Sequence, residues 1–273
     1  MRQEKDWRRA LVWGVSCLLV IVIATVACLS DVLMPESGNK KKSAGGLTVD
    51  YTHSDAGYVM VKASKGKKRL KVRVVKDGTT LTYDLNSNGD YEVFPLQLGS
   101  GKYTFKLYKN VSGKKYSEEG KLTITVKMDD ELSAFLYPNQ YVNYNAETAA
   151  VLEASKLCEG MTSQSDIYKA VCNYMKKNFN YDYIKSVSVK PGQLPDIDEA
   201  WKKRMGICQD LSAIMVCMLR SQGVPARMMI GTLNASVYHS WVTAVVNGKE
   251  KFFDPTAELN AVSNGTYTVE RYY

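Results

Sequence analysis

Near Met128 the hydrophobic period of the chain changes, and that change divides what it can fold into. Over residues 47–128, β-branched and aromatic residues alternate with polar ones. Turn signals interrupt them at Asp77-Gly78, Asn88-Gly89, Gly99-Ser100-Gly101 and Ser112-Gly113. Period two marks half-buried strands, so this stretch predicts roughly six or seven short strands in an antiparallel sandwich of immunoglobulin or fibronectin type. No cysteine lies in it, which excludes an antibody-type core disulfide. After Met128 the period becomes helical. The expected fold class is α+β, with an all-β domain over residues 47–128 and a second domain over 129–273.

Residues 10–29 are uncharged and follow Arg2, Lys5, Arg8 and Arg9. At about 1.5 Å rise per residue such a helix spans ~30 Å, a bilayer's hydrocarbon core. The basic flank places that end in the cytoplasm and the rest of the chain outside. Residues 1–30 are therefore expected as a signal or membrane anchor, and the protein as extracytoplasmic, anchored through residues 10–29 or secreted. Thr25-Val26-Ala27-Cys28 is compatible with cleavage, or with lipidation at Cys28. An uncleaved anchor is the preferred reading, because Thr25 stands where a lipidation site carries an aliphatic residue. Residues 31–46, with Ser, Gly, Asn and the run Lys40-Lys41-Lys42, read as a flexible linker.

The net charge of +8 invites a nucleic-acid reading until it is divided along the chain. Residues 47–128 hold fifteen basic and eight acidic side chains, whereas residues 129–273 hold fourteen and sixteen. The excess belongs to the sandwich, so an anionic cell-envelope polymer is the expected partner and nucleic acid is not. Lys65, Lys67, Lys68, Arg69, Lys71 and Arg73 suit an anion-binding face, or equally the solvated charge that protects strand edges.

Two histidines exclude a three-histidine zinc site, and no Cys-x-x-Cys pair occurs, so no metal and no cofactor is expected. A bridge between Cys158 and Cys172 stays open. A histidine base has to be His53 or His239, and His53 reads as an exposed residue at the sandwich entrance. Residues 147–159 predict a helix with Ala149, Leu152 and Leu157 on its buried side. Ser163 and Asp166 read as a cap opening a helix to about residue 179, and Asp198 as the cap of a short helix ending at Gly206. The next helix carries Leu211, Ile214, Met215, Met218 and Leu219 as a buried face and stops at Gly223 and Pro225.

Cys208 stands at the N-terminal edge of that helix, where unpaired N–H groups and the helix dipole favour an anion such as a thiolate. His239 opens a strand running to Val246, and Asn247-Gly248 turns the chain into a return strand ending before Pro255. With a two-residue loop, Val246 faces Lys249 and Trp241 faces Asp254. His239 then shares a face with Asp254, one diagonal step away. A thiol, an imidazole and a carboxylate so placed form a nucleophile, base and orienter set. Asp210 reads as structural, and Arg220 and Arg227 as ion-paired architecture.

The segments Gly206-Ile207-Cys208-Gln209-Asp210-Leu211, Arg220 to Gly223 with Val224-Pro225-Ala226-Arg227, His239-Ser240-Trp241-Val242 and Phe253-Asp254-Pro255-Thr256, with Asn180-Tyr181-Asp182-Tyr183 upstream, resemble the transglutaminase-like core of the papain-like superfamily, over roughly residues 140–260. The resemblance implies a cysteine helix packed on an antiparallel sheet, with Cys208 as nucleophile, His239 as base and acid, and Asp254 as the residue orienting the imidazole. It implies thioester chemistry on a protein or peptide amide, by a peptidase or a protein-glutamine transamidase. Papain-type enzymes place an oxyanion-binding glutamine where Lys202 and Lys203 stand here, which leaves Tyr183 or Trp201 as substitutes. The alternative is a surface-binding or structural protein with a catalytically silent scaffold of this kind.

Overall fold

The computed structural model describes residues 32–262 and 265–273. The expected membrane segment lies outside them; among the described residues no helix is long and apolar enough to cross a membrane. The first part is built from β1 (Lys41–Ala44), β2 (Leu47–Asp50), β3 (Tyr58–Ala63), β4 (Leu70–Lys76), β5 (Thr79–Leu85), β6 (Glu92–Pro95), β7 (Gly101–Ser112) and β8 (Lys115–Val126). They form two antiparallel four-stranded sheets, in the orders β1-β2-β3-β6 and β5-β4-β7-β8. Alternation decides which side each residue takes. In β4, Leu70, Val72 and Val74 turn inward and join Val49 and Val61 of the other sheet, with Phe105 and Ile124, in one core. Burying each such side chain is worth about 1.5–3 kcal/mol.

The segment read as linker enters this sheet early. Lys41–Ala44 pairs with Leu47–Asp50 across Gly45-Gly46, and Lys42 Nζ donates to Thr123 O at 3.1 Å. The lysine run looked unable to pack, yet backbone pairing needs no apolar side chain, so the sandwich starts at β1. His53 is half-buried rather than exposed, stacked on Tyr58 with ring centroids 5.7 Å apart.

The second part comprises α1 (Ala149–Leu157), α2 (Gln164–Asn178), β9 (Asn180–Tyr181), α3 (Tyr183–Ser188), α4 (Ile197–Lys203), β10 (Met205–Gly206), α5 (Cys208–Ser221), β11 (Ala226–Leu233), β12 (Val237–Val246), β13 (Lys249–Phe253), α6 (Pro255–Glu258) and β14 (Tyr267–Tyr272). Its antiparallel sheet runs β13-β12-β11-β14, and α5 packs on β11 and β12. Ser163 caps α2 as expected. The cap of α4 is Asp196, whose side chain accepts from Glu199 N, two residues before Asp198. In α1 the buried residues are Ala150, Val151 and Ala154 while Leu152 is exposed, so its apolar stripe is rotated from the expected one.

From Asp210 to Ser221 every residue of α5 is buried, so it is a central helix rather than one with a single buried face. Arg220 near its end carries no ion pair among the described residues. It donates to Ala226 O at 2.9 Å and Tyr137 O at 2.6 Å, and burial lowers its pKa to about 10. Arg227 does pair with Glu250, at 2.9 Å. The chain's last residues join the two parts: Gln97 Nε2 donates to Tyr272 O at 2.6 Å, and the Tyr273 ring stacks on Tyr141.

Candidate active site

Cys208 opens α5 behind Ile207, an extended N-cap residue with no side chain able to cap. The first N–H groups of the helix therefore lie beside the thiol without a side-chain cap. Asp210 fixes this end from behind. Fully buried, it accepts from Ile207 N at 3.0 Å and meets Lys185 Nζ of α3 at 2.8 Å. Gly206 is needed for that approach, because a Cβ there would lie 2.8 Å from the Asp210 Cβ and 3.3 Å from that of Ala200. Asp210 is thus structural, as its place in the first turn suggested.

The hairpin carries the other two groups. Asn247 and Gly248 both take positive φ, 51° and 73°, the two-residue turn that matches strand twist. Val246 pairs with Lys249 and Val242 with Phe253, the register expected from the turn. His239 and Asp254 are buried, with His239 Nε2 2.7 Å from Asp254 Oδ2. Asp254 also caps α6: Oδ1 accepts from Thr256 N at 2.9 Å and Ala257 N at 3.2 Å, and Tyr267 OH donates to Oδ2 at 2.8 Å. Burial opposes its ionisation, but His239, Tyr267 and the backbone donors outweigh burial and hold the carboxyl below its usual value.

For His239, burial likewise works against the charged form. Hydrogen bonds to Asp254 and to the Cys208 thiol overcome it and raise the pKa to about 9. With Nε2 taken by Asp254, Nδ1 is the ring nitrogen left for the thiol. The described cysteines are free, and Cys208 is half-buried where Cys158, Cys172 and Cys217 are buried. Burial pushes the Cys158 and Cys172 thiols up to about 11 and the Cys217 thiol further. The open bridge between Cys158 and Cys172 is not formed.

Cys208 and His239 face a cleft of about 470 Å³. Tyr181, Gln209, Tyr238 and Arg271 line it, and residues 189–193 form one wall. That wall is tied back by Gln209 Nε2, which donates to Gln193 O at 3.2 Å. Among the described residues no group of His, Cys, Asp or Glu is placed to hold a metal ion.

Residues 154–253 match the family model of the transglutaminase-like superfamily. The helix and hairpin belong to a transglutaminase-like domain. Its sequence is 32% identical over 108 residues to the uncharacterized protein YebA of Bacillus subtilis (strain 168), covering 33% of this chain and 14% of that protein's length. Partial structural likeness extends to a candidate cysteine protease from Cytophaga hutchinsonii (16% identity, TM-score 0.40, 73% of this chain and 74% of that one). It also extends to the periplasmic domain of TgpA from Pseudomonas aeruginosa bound to ethylmercury (15% identity, TM-score 0.38, 83% and 78%).

Within the transglutaminase-like domain, the two aromatics weighed as oxyanion donors lie elsewhere. Tyr183 is exposed, and Trp201 is buried under Arg204, whose guanidinium sits 4.0 Å from a Trp201 ring centroid. Tyr181 lines the cleft together with Tyr141 and Tyr238. Burial and the neighbouring Cys208 push its hydroxyl pKa up to about 12. Tyr181 is aimed by the parallel pairing of β9 with β10, a non-local contact that no local spacing reveals. Tyr267 was missed as well. Its strand, β14, packs against Gly231, where a Cβ would meet Thr268 O at 1.9 Å. A lone glycine inside a strand was the available signal of that close approach.

Proposed function

We propose that the chain is a cysteine-dependent enzyme acting on amide bonds of proteins or peptides through a thioester at Cys208. The observation carrying this reading is the buried His239–Asp254 contact with the Cys208 thiol as the imidazole's other partner. With the proton on His239, the Cys208 thiolate attacks the carbonyl carbon. The C–N bond breaks, and His239 passes its proton to the leaving nitrogen. Water or an amine then attacks the thioester, His239 takes its proton, and the thiolate leaves. Asp254, held by four donors, keeps the imidazole oriented and stabilises its charge. The backbone N–H of Cys208 and the Tyr181 hydroxyl, protonated through neutral pH, are the oxyanion donors in this scheme.

The basic flank and uncharged run of residues 1–30 support an extracytoplasmic, membrane-anchored location, where the basic sandwich would meet an anionic envelope. The strand order, with β2-β3-β6 against β5-β4-β7-β8, supports an immunoglobulin- or fibronectin-like reading of that sandwich.

The chemistry is tested by incubating the protein with a glutamine-containing peptide and a labelled amine. Ammonia release or peptide cleavage dependent on Cys208 is expected, and label incorporation marks the transamidase branch. No Cys208-dependent product from any peptide would leave a silent scaffold.

A further inference from the structure

The cleft at Cys208 continues past its own rim. Pro191 and Gly192, part of its wall, also line a second, open cavity of about 800 Å³ against the sandwich. Arg69, Lys71, Arg73 and Lys114 line that cavity, and Asp84 is the one carboxylate among its lining residues. Asp84 is already engaged by Lys71 at 2.7 Å. Among the described residues Arg69, Arg73 and Lys114 have no carboxylate partner. Two of them are nonetheless held in place: the Arg69 guanidinium donates to Gly113 O at 2.7 Å, and that of Arg73 lies over the Tyr108 ring at 4.5 Å.

Strand alternation produces this face. With Leu70, Val72 and Val74 inward, Lys71 and Arg73 must point out; Lys106, opposite Arg73 in the register, is neutralised by Glu118 at 3.0 Å, so the unpaired charge of this face rests on Arg69, Arg73 and Lys114. The cleft wall itself carries Lys190 and Arg271 and no carboxylate. A positive path thus runs from the thiol, over Pro191-Gly192, onto the outer face of the β5-β4-β7-β8 sheet.

We propose that this path is a substrate subsite, which takes an acidic polypeptide segment flanking the reacting amide. The inference rests on the function proposed above and names its substrate class. An envelope polymer would also suit the charge, but it has no need of a surface continuous with the thiol. The shared wall favours a single chain lying in both cavities.

The test uses the full chain carrying Cys208→Ala, so that binding is read without turnover. Three fluorescent peptides share one glutamine-containing centre and carry a run of glutamates before it, a run after it, or serines on both sides. One glutamate peptide is expected to bind about tenfold tighter than the serine peptide at low salt, with most of that advantage lost near ~0.5 M salt. Adding Arg73→Glu with Lys114→Glu should abolish the advantage. Lys177→Glu, a single charge reversal on α2 outside both cavities, should keep it. If thermal melting shows the double reversal misfolded, Arg73→Gln with Lys114→Gln replaces it.

Equal binding of all three peptides, or a preference that survives in whichever double variant is folded, overturns the subsite. So does inorganic polyphosphate that binds the face without displacing the glutamate peptide, which would make the surface a polymer site. Failure of the enzyme reading shows separately, as absence of product from the serine peptide when it is incubated with the unsubstituted chain.

Discussion

The two halves of the molecule treat polar groups in opposite ways. Among the described residues, the sandwich buries two polar side chains, Asp50 and Gln97, beneath a core of Val, Leu, Ile, Phe and Tyr. The transglutaminase-like half buries Asp210, Arg220, His239 and Asp254, all at or beside α5 and the hairpin. Burying a charge costs several kcal/mol unless it is paired and hydrogen-bonded, whereas apolar packing carries no such cost. The sandwich shows that this chain can build a core by alternation alone. The buried charges of the other half are therefore better explained by the geometry they impose than by stability. They fix where Cys208, His239 and the loop wall stand.

Mutation separates the halves. The largest effect is expected from Asp254→Asn, which keeps the shape but loses the charge facing His239. If the proposed set acts as catalytic triads do, kcat/KM should fall about 10³–10⁴-fold while the protein stays folded. The alkaline limb should move too. His239 keeps its proton up to about pH 9 because Asp254 and Cys208 outweigh burial, so activity requiring the imidazolium falls as pH rises through about 9. With Asn at 254 only Cys208 is left to oppose burial and the limb shifts downward; an unshifted limb would remove Asp254 from this role. The same linkage acts on stability. A raised folded pKa contributes fully below the unfolded value of 6.5 and is lost as pH rises through about 9.

Asp210→Ala is next. It strips Lys185 and Ile207 N of a fully buried partner, at a cost of about 3–5 kcal/mol in a urea midpoint series. Activity should fall with it, because the same carboxylate ties α3 to the start of the cysteine helix. Val72→Ala, at the centre of the sandwich core, should cost about 2 kcal/mol while leaving kcat/KM unchanged below the melting range. Comparable activity loss in the Val72 variant would dissolve the contrast between the halves.

Local chemistry made part of this legible in advance. Asn247-Gly248 sets a turn with one register, and period two then fixes the side His239 takes, so its meeting with Asp254, fifteen positions on, could be derived from local sequence. Cys208 at a helix start was legible for the same reason. What stayed hidden depends on partners far along the chain. Tyr181 is aimed by a two-residue parallel pairing with Met205–Gly206, Arg220 finds the carbonyls of Tyr137 and Ala226, and Lys41–Ala44 gains order by pairing with Leu47–Asp50. The all-round burial of α5 was hidden because a one-sided apolar stripe says nothing about what covers the opposite face.

Tyr267→Phe has the smallest expected effect and probes the boundary of the buried network. It removes one donor from Asp254 Oδ2 and leaves the aromatic packing on Trp241 and Phe252. At pH 7 a loss of about 1 kcal/mol in stability and roughly fivefold in kcat/KM follows from one hydrogen bond to a carboxylate. The sign against pH is fixed by the direction of the Asp254 shift. A lowered folded pKa stabilises above the unfolded value of 3.8, and that contribution disappears as pH falls through the folded one. Losing Tyr267 raises the folded value, so the variant should begin its acid loss at higher pH, and the two proteins should converge once Asp254 is protonated in both. Urea midpoints taken between about pH 2 and 7 read this directly. A gap of constant size down to the lowest pH would mean that Tyr267 acts through packing alone, and the network around Asp254 would end at His239 and the α6 backbone.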